Sequence, residues 1–164
     1  MSSPKNERNW IGFDLGGTNM TAAVFSEKMK IRGSCRKKTK AYKGLEPTLD
    51  RMGKVIEKAA EDAGLPLEDI DGIGVGTPGS LNLSDGVILN APNLGWDDVP
   101  LRDVIRKKTD CPVVLMNDVD AGIYGEYASG AGQKGRCVVG IFPGTGVGGG
   151  CVMNGRLLTA GKSS

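Results

Sequence analysis

The sequence predicts an α/β fold built on a mixed β-sheet, and three observations support that prediction. Three consecutive apolar segments near the N-terminus are typical of an antiparallel meander. Helical and strand patterns then alternate, which predicts helices packed against the sheet. From residue 130 onward a second hairpin pattern echoes the start of the chain, which indicates a related second domain that has only begun.

The first half of the chain supplies the meander, one long helix and a short strand. The predicted elements are strands over 10–15, 20–25 and 30–36, a helix over 47–63, and a strand over 70–75. Apolar residues recur at steps of three and four in the helix, and Pro66 follows a glycine at its end. Short apolar runs bounded by turn residues predict the strands.

The second half alternates helices and strands before the last hairpin. The predicted elements are a short extended segment over 86–89, helices over 100–109 and 120–128, and strands over 113–116, 138–142, 151–153 and 157–158. Residues 144–150 are predicted to form a glycine turn, and residues 90–95 a loop.

The composition excludes several classes of chemistry. The 164 residues contain no histidine, so a Ser-His-Asp triad, a Cys-His dyad and His-ligated zinc are excluded. The formal net charge of +2 lacks the basic excess of a nucleic-acid surface, so no nucleic-acid partner is expected. The 26 glycines lie in short clusters between apolar runs, which indicates tight turns and close backbone approaches.

The cysteines and the N-terminus bear on the cellular compartment. Cys35, Cys111, Cys137 and Cys151 are well separated in sequence and form no CxxC pair. We expect four reduced, mostly buried thiols in a cytoplasmic protein. No apolar stretch follows the polar residues 1–9, and the longest apolar runs are too short for a bilayer. Neither a secretory signal nor a membrane partner is therefore expected.

Two glycine-rich segments, 14–19 and 144–150, have a composition that suits phosphate binding. Glycine tips with a hydroxyl group can wrap phosphate oxygens with backbone N–H groups, but ordinary hairpins also use glycine at their turns. In the phosphate interpretation, Asp14 would hold Mg²⁺ through water. The two GxGxxG strings do not lie between a strand and a helix, so a dinucleotide fingerprint is excluded.

Two further polar segments allow both a structural and a functional interpretation. Asn117 and Asp118 follow a predicted strand and precede a helix, where local chemistry favours capping. Alternatively, Asp118 could accept a proton from a substrate hydroxyl during phosphoryl transfer. The amides of segment 90–96 suit sugar hydroxyls, but a surface loop anchored by Trp96 would have the same composition.

Taken together, five blocks of sequence resemble the ROK family of bacterial sugar kinases and sugar-responsive repressors, particularly its glucokinases. They are 14–18 (DLGGT), 74–79 (GVGTPG), 90–96 (NAPNLGW), 117–121 (NDVDA) and 144–150 (GTGVGGG). Each block alone has low specificity for the family, whereas all five in this order are highly specific. The resemblance implies an actin-like, ribonuclease H-like ATPase fold, in which two related domains flank an active-site cleft.

The resemblance also implies a role for each matched residue. ATP phosphates would be bound by two glycine hairpins, which contribute Asp14, Gly16, Gly17, Thr18, Asn19, Gly144, Thr145 and Gly146. Asp118 would be the catalytic base that removes the proton from the sugar hydroxyl, and Mg²⁺ would bind Asp14 through water. The sugar would contact Gly79, Asn93, Asn117 and Asp118.

The sequence ends before two stretches of the family, a Glu-x-Gly-His segment and a cysteine-rich zinc motif, so no zinc site is expected. The predicted organisation is a tail over 1–9, an actin-like ATPase domain over 10–129 and the beginning of a truncated second domain over 130–164. The expected function is ATP-dependent phosphorylation of a hexose, with glucose as the first candidate and this chain incomplete for turnover. A sugar-binding regulator and a non-catalytic remnant are alternatives, and a homo-oligomer is left open.

Overall fold

The computed structural model describes residues 7–143 and 147–158. The chain divides into two compact units, an N-terminal unit over residues 1–116 and a C-terminal unit over residues 117–164. The domain boundary expected between residues 129 and 130 stays a prediction. No helix among the described residues has the length and apolar character that crossing a membrane requires.

The N-terminal unit combines a strand meander with helices that follow it. Its strands are β1 (Asn9–Leu15), β2 (Asn19–Ser26), β3 (Ile31–Lys38), β4 (Gly72–Thr77), β5 (Ser80–Asn82), β6 (Val87–Ala91), β7 (Trp96–Val99) and β8 (Val113–Asn117, whose last residue belongs to the C-terminal unit). Its helices are α1 (Leu45–Asp62) and α2 (Leu101–Thr109), with 3₁₀ turns over Ala41–Lys43 and Leu67–Asp69.

Five of these strands form a mixed sheet in the order β3-β2-β1-β4-β8, so the predicted mixed α/β architecture is confirmed. Strand β1 runs antiparallel to β2 and parallel to β4. Strands β5, β6 and β7 form a separate antiparallel sheet. Because β1 and β4 run parallel, the segments that follow Leu15 and Thr77 leave the sheet at the same edge.

The core of the N-terminal unit follows from the alternation of apolar residues in its strands. Ile11, Phe13 and Leu15 are buried on one face of β1, where a side chain of this size contributes about 1.5–3 kcal/mol on burial. Helix α1 buries its apolar stripe against β2 and β3. Gly33 allows this close approach, since a Cβ there would lie 2.7 Å from the Ala59 carbonyl oxygen.

The C-terminal unit consists of one helix and a three-stranded antiparallel sheet in the order β11-β10-β9. Its elements are α3 (Asp118–Ser129), β9 (Cys137–Pro143), β10 (Val147–Met153) and β11 (Arg156–Leu157). Helix α3 packs on one face of the sheet over glycines. A Cβ on Gly150 would lie 2.6 Å from Ile123 Cδ1, and a Cβ on Gly148 would lie 2.6 Å from Val119 Cγ2.

This arrangement corrects two expectations from the sequence and adds two strands that were not predicted. The predicted glycine turn over 144–150 is wrong for residues 147–150, which form the first half of β10, and Gly148 and Gly150 leave room there for side chains of α3. Strands β5 and β7 were not predicted, since their residues lack an apolar alternation. The expectation of mostly buried thiols is also wrong, because Cys111 alone of the four is fully buried and Cys137 is exposed.

Candidate functional site

Residues 16–18 form the tight turn that joins β1 to β2. The Gly16 N–H donates to the Asn19 carbonyl at 3.0 Å. A Cβ on Gly16 would lie 2.8 Å from that same carbonyl oxygen, so this position requires glycine. The hairpin interpretation of the segment is therefore confirmed, and the phosphate interpretation stays a prediction.

A buried side chain that the sequence did not single out holds this turn in place. Thr39 is fully buried, and its hydroxyl donates to the Gly16 carbonyl at 2.6 Å. Its backbone N–H donates to the Thr18 carbonyl at 2.9 Å. Both carbonyls are thus bonded from within the unit. The contact depends on the pairing of Asn19 with Lys38 across β2 and β3, which no local motif reveals.

The predicted sugar residue Asn93 lies directly against this turn. A Cβ on Gly17 would be 3.2 Å from the Asn93 carbonyl oxygen and 3.4 Å from the Asn93 Cβ. The buried side chains of Leu94 and Trp96 anchor the segment, while Asn93 itself is exposed. The interpretation as a surface loop anchored by Trp96 is confirmed for residues 92–95, whereas Asn90 and Ala91 lie in β6. The anchoring presents Asn93 beside the glycine turn.

Gly79 joins the same region through the end of β6. Its φ of +98° lies in the region that favours glycine. A Cβ there would overlap the Asn90 carbonyl oxygen and lie 2.9 Å from the Ala91 Cα. Residues 16–18, Gly79 and residues 90–93 therefore form one cluster, which we call the N-terminal site.

Asp14 precedes the glycine turn and is exposed, whereas its neighbours Phe13 and Leu15 are buried. It pairs with Thr21 on β2 and with Gly76 on β4. Among residues 7–143 and 147–158, no group of three or more His, Cys, Asp or Glu residues could hold a metal ion. An exposed carboxylate such as that of Asp14 is the kind of group that can hold a magnesium ion through water, and this role stays a prediction.

In the C-terminal unit, Asn117 is the N-cap of α3. Its side-chain oxygen accepts from the Val119 N–H at 3.0 Å and from the Asp120 N–H at 3.4 Å. The capping interpretation is therefore confirmed for Asn117, and its predicted contact with sugar stays a prediction. An Asn cap of this kind contributes about 1 kcal/mol to helix stability.

Asp118, the predicted catalytic base, is the first residue of α3 and is half-buried. Its Oδ1 accepts from the Val119 N–H at 2.9 Å. Partial burial, and then the negative charge of Asp118, raise the pKa of Asp120 above its ordinary value. The first turn of the helix thus carries two carboxylates that repel each other.

The second predicted phosphate hairpin is described only at its flanks. Gly144, Thr145 and Gly146 lie outside the described residues, so their predicted role stays untested. Strands β9 and β10 pair up to the Pro143 and Val147 positions on either side. The structure therefore brings together Gly16, Gly17, Gly79 and Asn93 in one unit, and Asn117 with Asp118 in the other.

Comparison with known proteins identifies the family. The profile of the ROK family matches residues 10–163, which is nearly the whole chain. This chain belongs to the ROK family. Solved ROK sugar kinases share its architecture, so the expected actin-like ATPase fold class is confirmed for this ROK chain.

Individual ROK proteins show how much of a relative the chain represents. It is 36% identical to a glucokinase of Thermotoga maritima over 150 residues, which are 91% of this chain and 46% of that protein. A ROK family glucokinase from Streptomyces griseus, solved in complex with glucose and AMPPNP, aligns with a TM-score of 0.82 at 33% identity, over 92% of this chain and 46% of that one. A xylose repressor of Caldicellulosiruptor bescii is 35% identical over 69% of this chain and 28% of that protein. The chain therefore spans about half the length of the glucokinases it matches.

Proposed function

We propose that this ROK chain forms the N-terminal part of an ATP-dependent hexose kinase that phosphorylates glucose. The observation that carries the proposal is the contact of Gly17 with Asn93 in the N-terminal site. Backbone N–H groups suited to phosphate there lie beside an amide suited to sugar hydroxyls. Similarity to the T. maritima glucokinase supports glucose as the substrate.

In this proposal, the turn 16–18 binds ATP phosphates, and Thr39 keeps it in one conformation. Gly144, Thr145 and Gly146 bind the phosphates as a second hairpin. Magnesium, when held by Asp14 through water, supplies neutralisation of phosphate charge. Because phosphoryl transfer depends mainly on positioning and charge stabilisation, rigid backbone donors suit the reaction.

Asp118 accepts the proton of the sugar hydroxyl that attacks the γ-phosphoryl group. Its place at the start of α3 is fixed by the Asn117 cap, which holds the first turn of the helix. The sugar is bound by Asn117, Gly79 and Asn93 through its neighbouring hydroxyls. Exclusion of water from the closed site would prevent hydrolysis of ATP.

The test is a coupled assay of ADP release with glucose and Mg-ATP, on the protein encoded by the whole reading frame that contains this sequence. We expect Asp118→Asn to lower kcat by about 10²–10⁴-fold, the usual contribution of a general base. Asp120→Asn, on the same helical turn, is the matched control and should stay within a few-fold of the wild-type rate. An Asp118→Asn protein that turns over normally would contradict the proposed base. The 164-residue chain alone is expected to show little or no turnover.

A sugar-responsive regulator is the second candidate, because a xylose repressor is 35% identical to this chain. It predicts sugar binding without ADP release, together with DNA binding that responds to the sugar. Either set of results decides between the two candidates. The oligomeric state and the cytoplasmic location stay predictions in both.

A further inference from the structure

Two of the four cysteines come together on the sheet of the C-terminal unit. The Sγ atoms of Cys137 and Cys151 are 3.6 Å apart, and both are free thiols. The strand register places Cys137 opposite Met153 and Cys151 opposite Val139. The thiols are therefore diagonal neighbours across an antiparallel pair, where backbone positions are usually about 7–8 Å apart, and here the two side chains point towards each other.

Both thiols lie on the face of the sheet that α3 does not cover. Side chains alternate between the faces of a strand, so Cys137 and Cys151 share a face with Val139 and Met153. These two neighbours are 67% and 43% exposed. Cys137 is exposed and Cys151 is half-buried, so a small molecule in solution can reach the pair.

We propose that Cys137 and Cys151 form a dithiol site that a small-molecule disulfide, such as oxidised glutathione, converts into an intramolecular disulfide. A disulfide bond is about 2.05 Å long, so the sulfurs must approach by roughly 1.5 Å, which side-chain rotation and a small strand adjustment can supply. The inference does not depend on the proposed kinase activity.

The reaction has two exchange steps. The Cys137 thiolate attacks one sulfur of oxidised glutathione, which forms a mixed disulfide and releases one glutathione thiolate. The Cys151 thiolate then attacks the Cys137 sulfur, which closes the protein disulfide and releases the second glutathione. The protein is oxidised by two electrons, glutathione disulfide is reduced to two thiols, and the two protein thiol protons pass to the solvent and the leaving thiolates.

The order of the two steps follows from exposure. Cys137 is the more accessible thiol, so it meets the oxidant first. Its hydrogen bond with Cys151, and then partial burial, raise the pKa of the Cys151 thiol. While Cys137 is a thiol, Cys151 is therefore mostly protonated at neutral pH. The mixed disulfide at Cys137 removes that hydrogen bond, and Cys151 lies within reach of the Cys137 sulfur for the closing step.

The other two cysteines provide an internal control in the N-terminal unit. Cys111 is buried, and its thiol donates to the Thr109 carbonyl at 3.3 Å. Burial raises the pKa of Cys111, which slows its reaction further. Cys35 is half-buried on β3. Neither is expected in an intramolecular disulfide.

The experiment treats the folded 164-residue chain with oxidised glutathione at neutral pH, blocks free thiols with N-ethylmaleimide and digests with trypsin. Cleavage after Arg136 and Arg156 leaves both thiols in one fragment, residues 137–156. We expect this fragment to be unlabelled and lighter by two hydrogen atoms, and to regain both labels after reduction. Closure should be about tenfold faster in the folded chain than in urea, because the fold raises the effective concentration of the second thiol.

Two variants sharpen the result. Cys151→Ser should stop at a glutathione adduct on Cys137. In Cys137→Ser/Val138→Cys, the thiol moves one position along β9 to the side of Gly132 and Gly135, so no lighter fragment should form. Stable glutathione adducts on the wild-type chain without closure would overturn the proposal. Equal closure rates in buffer and in urea, which need no variant, would overturn it too.

Discussion

The two units differ in how much core their own residues provide. In the N-terminal unit, α1, α2 and strands of both sheets contribute to one continuous buried cluster. Among the described residues of the C-terminal unit, the buried hydrophobic side chains are Ile123 and Val152. Val139 and Ile141, on the face without α3, are 67% and 71% exposed. The comparison teaches that the N-terminal unit is stabilised by its own packing. In the described part of the C-terminal unit, by contrast, one face of the sheet is not covered by other residues.

The difference in packing predicts a difference in local stability. Segments with few buried apolar contacts open at lower free energy than the core of the same protein. Both tryptophans, Trp10 and Trp96, lie in the N-terminal unit, so their fluorescence reports on that unit alone. Hydrogen exchange of α3 and β10 reports on the other. The variants below test the comparison in order of expected effect.

The largest expected effect is at Gly33 in the N-terminal unit. In Gly33→Ala the new Cβ would meet the backbone of Ala59, Asp62 and Ala63, which cannot move without displacing α1. We expect a loss of about 3 kcal/mol in the free energy of unfolding, the upper range for overpacking. Urea unfolding followed by tryptophan fluorescence measures it. Gly74→Ala on β4, with no atom within 4 Å of its Cβ, is the control and should be close to neutral.

A smaller effect is expected at Gly150 in the C-terminal unit. There the new Cβ would meet the Ile123 Cδ1 at 2.6 Å, which is the end of a side chain and can rotate. We expect a loss of about 1–2 kcal/mol, seen as faster hydrogen exchange in α3. The urea midpoint followed by tryptophan fluorescence should not change. A lower midpoint together with faster exchange in α3 would show that the two units unfold together.

Gly125→Ala is the matched control for that variant. Gly125 lies in α3 and is exposed, and a Cβ at this position would have no atom within 4 Å. Alanine should therefore stabilise the helix by about 0.5–1 kcal/mol, the difference in helix propensity between the two residues.

The third variant, Thr39→Val, tests the clamp beneath the glycine turn, by which we mean the two hydrogen bonds from Thr39 to the Gly16 and Thr18 carbonyls. Loss of its hydroxyl leaves the Gly16 carbonyl without that donor, which should cost about 1 kcal/mol. Thr48→Val is the matched control, since Thr48 is equally buried and donates to the Gly44 carbonyl at 2.7 Å. Only Thr39→Val should shift the amide NMR signals of residues 16–18. If the amide signals of residues 16–18 shifted equally in both variants, the Thr39 hydroxyl would not determine the conformation of the turn.

The smallest effect concerns the pH dependence of the C-terminal unit. The raised pKa of Asp120 means that the folded state binds this proton more tightly than the unfolded state does. Stability from this group is therefore greatest at acidic pH and falls as the pH rises through its folded pKa. Relative to Asp120→Asn, the wild type should therefore lose stability between acidic and neutral pH. Hydrogen exchange of α3 at several pH values checks this, and a flat difference contradicts it.

Elements with local periodicity could be predicted from sequence, whereas contacts that depend on strand register could not. The apolar repeat of α1 and the alternation in β1 and β2 are visible in the residues themselves. Strand β7 was missed because its polar residues are held by pairing with β6, where the Asn90 amide donates to Asp97 at 2.6 Å. The glycines at 148–150 favour a turn by propensity, yet they lie in β10, where Gly148 and Gly150 pack against side chains of α3.

The candidate site shows the same division. Its glycine and asparagine residues were identified as short motifs, because a backbone turn or a cap is specified over a few positions. Thr39 and the pair of Cys137 with Cys151 were missed, because each depends on which residues face each other across two strands. Both contacts join residues that are far apart in sequence, so no local pattern indicates them.

The clamp beneath the turn also makes the pairing of β2 with β3 a condition for any ligand that the turn binds. A slip of β3 by one residue would bring Lys38 or Lys40 under Gly16 in place of Thr39. The same slip would exchange the two faces of the edge strand. A charged ammonium group would then occupy a site that now holds a buried hydroxyl. An error in the pairing of β3 with β2 would therefore reshape the turn, so the conformation of residues 16–18 depends on correct folding of the edge strand.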